Sequence, residues 1–146
     1  MKPVIDHIHM TVTDLDRAER FYDRLLPMLG FDLRHKAKDA VPGHEYEIVE
    51  YNHVSFSIGI VSPRKEYAME TVGRRKPGAL HHLAFRVESS GEVDHLFERV
   101  ATIPADIVHE PRLYPEYSAD YYAFFFKDPE GIELEIVSLA RERCFQ

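Results

Sequence analysis

The chain holds one cysteine in 146 residues, Cys144. A single thiol closes no internal disulfide, which fits a reducing cytoplasm. Its place near the C-terminus gives it no catalytic role. No apolar run approaches the roughly 18 residues that a membrane helix needs. The opening stretch MKPVIDHIHM lacks the apolar centre of a signal peptide. A cytoplasmic protein without a membrane partner is expected. Positive charge is in deficit, with a formal net charge of −7, which argues against nucleic acid as a partner in the absence of a local basic patch. What remains is the profile of an ordinary globular domain, 45% hydrophobic and 29% charged, long enough to bury a sizeable core.

The strongest local signal is YYAFFFKDPEGIELEIV, residues 121–137. Asp128, Pro129 and Gly131 suit the first, second and fourth positions of a type I turn between two strands. Beyond the turn, Ile132, Leu134 and Ile136 point one way and Glu133, Glu135 and Val137 the other. Two carboxylates therefore share one face of a strand.

Residues 5–13 also alternate, with His7, His9, Thr11 and Thr13 opposite Ile8, Met10 and Val12. A helix follows, with an apolar stripe of Leu15, Ala18, Tyr22, Leu25 and Leu29. Asp16 with Glu19 forms a candidate capping box and Asp14 competes as the cap. Pro27 and Gly30 end the helix. Residues 31–35 read as a short strand, 36–44 as a loop, and 45–51 and 54–61 as strands. Residues 62–78 break the pattern and carry Arg64, Lys65, Arg74, Arg75 and Lys76. They are either a solvated connector or a flap carrying positive charge toward an anionic substrate.

The first pattern then returns. His82, Ala84 and Arg86 alternate with Leu83, Phe85 and Val87. Ser89 and Glu92 make a second capping box, and Val93, Leu96, Phe97 and Val100 a second helical stripe. A strand at 106–109, a loop at 111–117 and the hairpin complete the unit. H-I-H-M-T-V-T-D from His7 aligns with H-L-A-F-R-V-E-S from His82, and Ile60-Val61-Ser62 with Ile136-Val137-Ser138. Both halves read β-α-β-β-β, a twofold repeat. Module 1 spans about 1–61, the connector 62–78 and module 2 about 79–140. The fold class is α+β, two paired βαβββ modules with curved mixed sheets and the helices outside. If the sheet curls, His7, His82 and Glu135 lie on its concave side.

The series His7-Ile8-x-Met10-x-Val12-x-Asp14-Leu15, His82-Leu83-Ala84-Phe85-x-Val87 and Phe126-x-Asp128-Pro129-Glu130-Gly131-x-x-x-Glu135 resembles the vicinal oxygen chelate superfamily over nearly the whole chain. That group includes glyoxalase I, extradiol dioxygenases, fosfomycin-resistance enzymes and bleomycin-binding proteins. The resemblance implies a single glyoxalase-like domain and a homodimer, with modules paired in one chain or swapped between two. It also implies one divalent metal ion held by His7, His82 and Glu135 in a metal-binding cup. Two imidazoles and a carboxylate suit Fe, Mn, Ni, Co or Zn. An open face on the metal would take a small substrate through vicinal oxygens, as a lyase or isomerase or as an extradiol-type dioxygenase. A fosfomycin-type thiol transferase is a further option, though no phosphonate-binding cluster is evident. A metal-free drug- or metabolite-binding protein is the alternative of another class. The fourth ligand of glyoxalase I would fall near Gly59, with Ser55 and Ser57 on the same face, and none of these binds metal well. Glu47 or Glu50 would supply it in a shifted register.

Other residues are candidates around this set. His9 shares the face of His7 and reads as a pocket residue with an outer hydrogen bond. Glu133 is either a general base or a solvated strand residue. Tyr121 and Tyr122 have opposite parity, so one of them faces the cup, as an oxyanion donor or as aromatic packing. Arg86 either holds a substrate carboxylate or phosphate or pairs with a surface acid. His81 falls on the apolar side, and His35, His44, His53, His95 and His109 belong to no motif.

Overall fold

The computed structural model describes residues 1, 3–71 and 73–145, with the side chains of Arg143 and Cys144 outside the description. The chain divides into two compact units, Met1–Val72 and Gly73–Gln146. The fold is α+β, each unit an open four-stranded mixed sheet with one α-helix.

The first unit runs β1 (His7–Thr11), α1 (Leu15–Leu25), β2 (Lys36–Val41), β3 (Tyr46–Asn52) and β4 (Ser57–Val61). Strand order is β1-β4-β3-β2, with β1 and β4 parallel and the other pairs antiparallel. Asp14 caps α1, its side chain accepting from the Arg17 amide. The competing cap is therefore the one used, and the Asp16–Glu19 box is not. Ala18, Phe21, Tyr22 and Leu25 are buried on α1. They form one core with Val49, Tyr51, Ile58 and Ile60, which share parity on β3 and β4. A 3-10 turn, Leu26–Leu29, carries Pro27 and ends on Gly30 at φ 91°, a backbone setting that favours glycine.

Two expectations fail in this unit. Residues 31–35 are not a strand. Asp32 accepts from the Arg34 amide and starts a 3-10 turn, Leu33–His35. Residues 36–41 are a strand rather than a loop. This is the edge strand KAKDAV, almost wholly exposed; charged edges block pairing with other chains and hide the apolar alternation that marks inner strands. Lys36 donates to Glu19 and Asp23 at 2.9 Å, Lys38 donates to Glu19 at 2.7 Å, and the Tyr51 hydroxyl donates to Asp23 at 2.9 Å. These bonds tie α1 to the sheet.

The second unit repeats the order with β5 (Leu83–Arg86), α2 (Ser90–Val100), β6 (Asp106–Leu113), β7 (Tyr122–Lys127) and β8 (Glu133–Ser138). Strand order is β5-β8-β7-β6, with β5 and β8 parallel. The Ser89–Glu92 capping box forms as the spacing predicts. Val93, Leu96 and Val100 of α2 are buried, as are Phe124, Phe126, Leu134 and Ile136 of like parity in the sheet. β6 extends through Pro111, which the sequence reading placed in a loop. It is an edge strand with two register shifts, where a missing N–H is tolerated. The hairpin turn is as expected. The Gly131 amide donates to Asp128 O at 3.0 Å, and the Asp128 carboxylate accepts from the Glu130 and Ile132 amides at 2.9 and 2.8 Å.

Candidate metal and substrate site

Glu135 sits on an inner strand, paired with Ala84 of β5 and Phe125 of β7 on the face opposite α2. It is only 1% exposed. The Tyr121 hydroxyl donates to its Oε1. His82 Nε2 lies 3.3 Å from its Oε2. Burial pushes the Glu135 carboxyl above its ordinary range; the Tyr121 bond and the His82 charge oppose this, and neighbouring Glu133 reinforces it. Burial, and then donation to Glu135, pushes the Tyr121 phenol well up, so it stays protonated. No lysine or arginine among the described residues bonds Glu135. His82 Nδ1 is 2.7 Å from His81 Nδ1, one donating and the other accepting. When His82 is the donor there, its Nε2 lone pair faces the Glu135 carboxylate, an arrangement that a cation bridges. His81 is therefore exposed beside His82 and not set into the apolar side, because it precedes β5 and escapes its alternation.

Glu133 differs from its expected solvated setting. It is 6% exposed, and its Oε1 accepts from Arg74 Nη1 at 2.7 Å. The alternation along this strand marks two faces, and both are covered. Opposite α2, Tyr114, Ala123, Phe125 and Val137 form a second apolar cluster, with Val108, Tyr121 and Leu139 packed on it. Tyr122 turns the other way, donating to Asp94 of α2 at 2.8 Å. The two tyrosines divide as parity predicts, and both hydroxyls already have acceptors. Arg86 shares the Glu135 face and lines a pocket of about 990 Å³ with Asp94, Asp120, Tyr122, Leu139 and Glu142.

An aromatic wall stands beside the His82–Glu135 pair. Phe125 meets the His82 ring at 6.5 Å and Tyr114 at 5.4 Å, both edge to face, and Tyr117 stacks on Tyr114. The Tyr114 hydroxyl is buried without a hydrogen-bond partner among the described residues. Arg112 lies 3.6 Å over the Tyr114 ring and gives its own N–H groups to Leu113 O and Glu116. Burial raises the Tyr114 phenol pKa against the opposing Arg112 charge.

In the first unit, His7 Nδ1 is 2.8 Å from Asp6 Oδ2. As donor to that carboxylate, His7 keeps Nε2 for a ligand. The His9 ring lies 4.6 Å from that of His7, and His9 Nε2 lies 3.6 Å from Glu50. Strand register pairs His9 with Gly59 and Gly59 with Glu50. In the second unit the same places hold Ala84, Glu135 and Phe125. Gly59 thus occupies the position equivalent to Glu135. A Cβ there would meet His9 Cδ2 at 2.5 Å and Ile48 Cδ1 at 2.8 Å. His9 fills the space a fourth ligand would need. Glu47 has the parity of Val49 and Tyr51, away from the histidines, whereas Glu50 shares their face two strands over, with β4 between. Within either unit, the described residues bring no three His, Cys, Asp or Glu side chains close enough to hold a metal ion. His82 and Glu135 meet in the second unit, and His7 belongs to the first.

Asp6, Arg74 and His81 were not singled out as site residues by sequence reasoning, whereas Glu50 was named only as a fourth ligand in a shifted register. Asp6 and His81 adjoin the predicted ligands, which was the available signal. Arg74 is 59 positions from Glu133, and no spacing rule joins them.

A family model for the Glyoxalase/Bleomycin resistance protein/Dioxygenase superfamily matches residues 4–136. The uncharacterized protein YqjT of Bacillus subtilis (strain 168) is 28% identical over 133 residues, covering 90% of this chain and 96% of its own. A crystal structure from Bacillus halodurans is 25% identical with a TM-score of 0.72, covering 92% of this chain and 95% of that one. The fosfomycin resistance protein FosX from Listeria monocytogenes is 17% identical with a TM-score of 0.66, over 97% and 98% of the two chains, and shows likeness of fold alone. No helix among the described residues is long and apolar enough to cross a membrane. With the repeated topology and the model match over residues 4–136, the chain belongs to the Glyoxalase/Bleomycin resistance protein/Dioxygenase superfamily.

Proposed function

We propose that the protein is a divalent-metal-dependent enzyme acting on a small substrate chelated through two neighbouring oxygens, as a lyase or isomerase or as an extradiol-type dioxygenase. The reading assigns His7, His82 and Glu135 as ligands to Fe, Mn, Ni, Co or Zn. It rests on one observation above all: a nearly fully buried carboxylate faces an imidazole nitrogen at 3.3 Å with no lysine or arginine bonded to it among the described residues. A buried carboxylate faced by only a phenol and an imidazole is costly to ionise, and a divalent cation is a partner that this nitrogen-and-oxygen donor set suits. The ion, when bound, supplies Lewis-acid polarisation of the chelating substrate oxygens.

The chain's own groups prepare that site. Tyr121 fixes the rotamer of Glu135 by donating to Oε1, which leaves Oε2 toward His82. Because its proton is committed there, Tyr121 positions the carboxylate and is not a free oxyanion donor. Asp6 orients His7 through Nδ1. Phe125, Tyr114 and Val137 keep water from the Glu135 side of the sheet. Glu133, engaged by Arg74, serves as that arginine's anchor in place of a free base. The same reading makes the protein a cytoplasmic homodimer, and light scattering reads its mass.

The test is reconstitution with each metal, followed by two assays: oxygen uptake with a catechol panel, and loss of a methylglyoxal–thiol hemithioacetal. Turnover in either assay that disappears in His82→Ala supports the proposal. Absence of metal uptake, with no loss of small-molecule binding in His7→Ala, makes the chain a metal-free binding protein instead.

A further inference from the structure

Arg74 belongs to the basic stretch that precedes β5, and its neighbours Arg75 and Lys76 are also cationic. Of these three it is the one whose side chain makes an ion pair among the described residues. Nη1 donates to Glu133 Oε1 at 2.7 Å, and the carboxylate that receives it is almost completely buried. A buried acid of this kind is a poor device for stability, because desolvating the two charges offsets most of their attraction. It does hold a guanidinium in one orientation. Arg74 makes no other hydrogen bond or ion pair among the described residues, and its side chain remains 39% exposed. Its remaining N–H donors therefore form a charged fork open to solvent, at a defined place.

That place is close to the candidate chemistry. Glu133 and Glu135 lie two positions apart on β8 and share a face, so their backbones are about 7 Å apart at the usual strand rise. Glu133 carries the arginine; Glu135 faces His82. A small molecule held by two oxygens at Glu135 and His82 would extend a second group toward Arg74. Guanidinium forks match carboxylate and phosphate oxygens in pairs. Glu133 anchors the arginine and also keeps it from swinging into water.

We infer that Arg74, anchored by Glu133, is the anion-recognition residue of this site, so that the substrate carries a carboxylate or phosphate a few bonds from its chelating oxygens. This inference rests on the metal-site reading above. The fork does not distinguish carboxylate from phosphate, so the test includes both.

The test uses the full chain loaded with cobalt and follows ligand binding through the visible spectrum. D-glycerate is compared with 3-phospho-D-glycerate, and L-lactate with L-malate; each pair differs by one distal anion. In the unaltered protein one of the two anionic partners binds about tenfold more tightly than its reference, equivalent to about 1.4 kcal/mol. In R74Q that ratio falls to about one while the cobalt spectrum is retained. Because R74Q leaves a buried carboxylate alone, the double variant R74Q/E133Q is measured as well. It removes both charges and must show the same loss of preference. Ratios near one for both pairs in the unaltered protein, or a preference that survives in either variant, overturn the assignment of Arg74. Failure to take up cobalt at all overturns the metal reading, and this inference with it.

Discussion

Gly59 offers a substitution whose sign the structure decides. Its φ lies outside the left-handed region that only glycine enters freely, so alanine meets no backbone strain. On backbone grounds alone Gly59→Ala would stabilise by about 0.4–1 kcal/mol, through a less flexible unfolded chain. The space argues otherwise. The added Cβ would stand 2.5 Å from His9 Cδ2, 2.9 Å from His9 Nε2 and 2.8 Å from Ile48 Cδ1. Overpacking of this kind costs about 1–3 kcal/mol. His9 is one-third exposed and can swing outward, which relieves the worst contact but breaks its approach to Glu50. The net expectation is a loss of about 1 kcal/mol. In a His9→Ala background the two His9 contacts are gone while the buried Ile48 Cδ1 at 2.8 Å still has to give, so the cost of Gly59→Ala becomes smaller than in the unaltered protein. Urea unfolding of the four proteins, followed by far-UV circular dichroism, gives the coupling directly. An equal cost in both backgrounds would refute the claim that His9 occupies the place of a fourth ligand.

Three further outcomes follow from particular groups. Tyr51→Phe removes a buried hydroxyl that donates to Asp23; an unfolding titration should show a loss of about 1.5–3 kcal/mol, as for bonds to charged acceptors. Burial works to raise the Glu19 pKa, but hydrogen bonds and charge from Lys38 and Lys36 win and lower it below 4.5. A lowered carboxyl stabilises above its unfolded pKa and loses that contribution as pH falls through its folded one. Glu19→Gln should therefore melt below the unaltered protein at pH 7, with the gap closing once pH drops below about 4.5. Glu135 has the opposite sign, raised by burial, so its charge costs stability as pH rises above the ordinary carboxyl value. In EDTA, Glu135→Gln should melt higher than the unaltered protein at pH 7, and the advantage should vanish in acid.

The parts of the fold that could be read in advance were those where burial imposes a period. β1, β4 and β8 show apolar alternation because the apolar residues of one face, Met10, Ile58, Ile60, Leu134 and Ile136 among them, are buried, and the Ser89–Glu92 box is a local signal with a local cause. β2 was missed because an edge strand with five exposed residues in six has no buried face to mark. β6 was cut short at Pro111, which an edge tolerates. The repeat set Gly59 against Glu135, and strand register in the two units matches that pair. It also set His7 against His82, which precedes β5 and lies outside the paired residues. The Arg74–Glu133 ion pair was not legible, because it joins a connector of uneven composition to a distant strand. The burial of Glu133 was hidden for a related reason: alternation shows that a strand has two faces without showing that both are covered. Cys144, given no role from the sequence, lies outside the described side chains.

Metal stoichiometry bears most directly on the central assignment. The protein is reconstituted, freed of excess ion and analysed for metal beside Glu135→Gln, which keeps the shape of the side chain and the acceptor for Tyr121 while removing the charge. The assignment predicts about one equivalent per chain in the unaltered protein and a small fraction of that in the variant. Equal metal content in the two, or none in either, would contradict it.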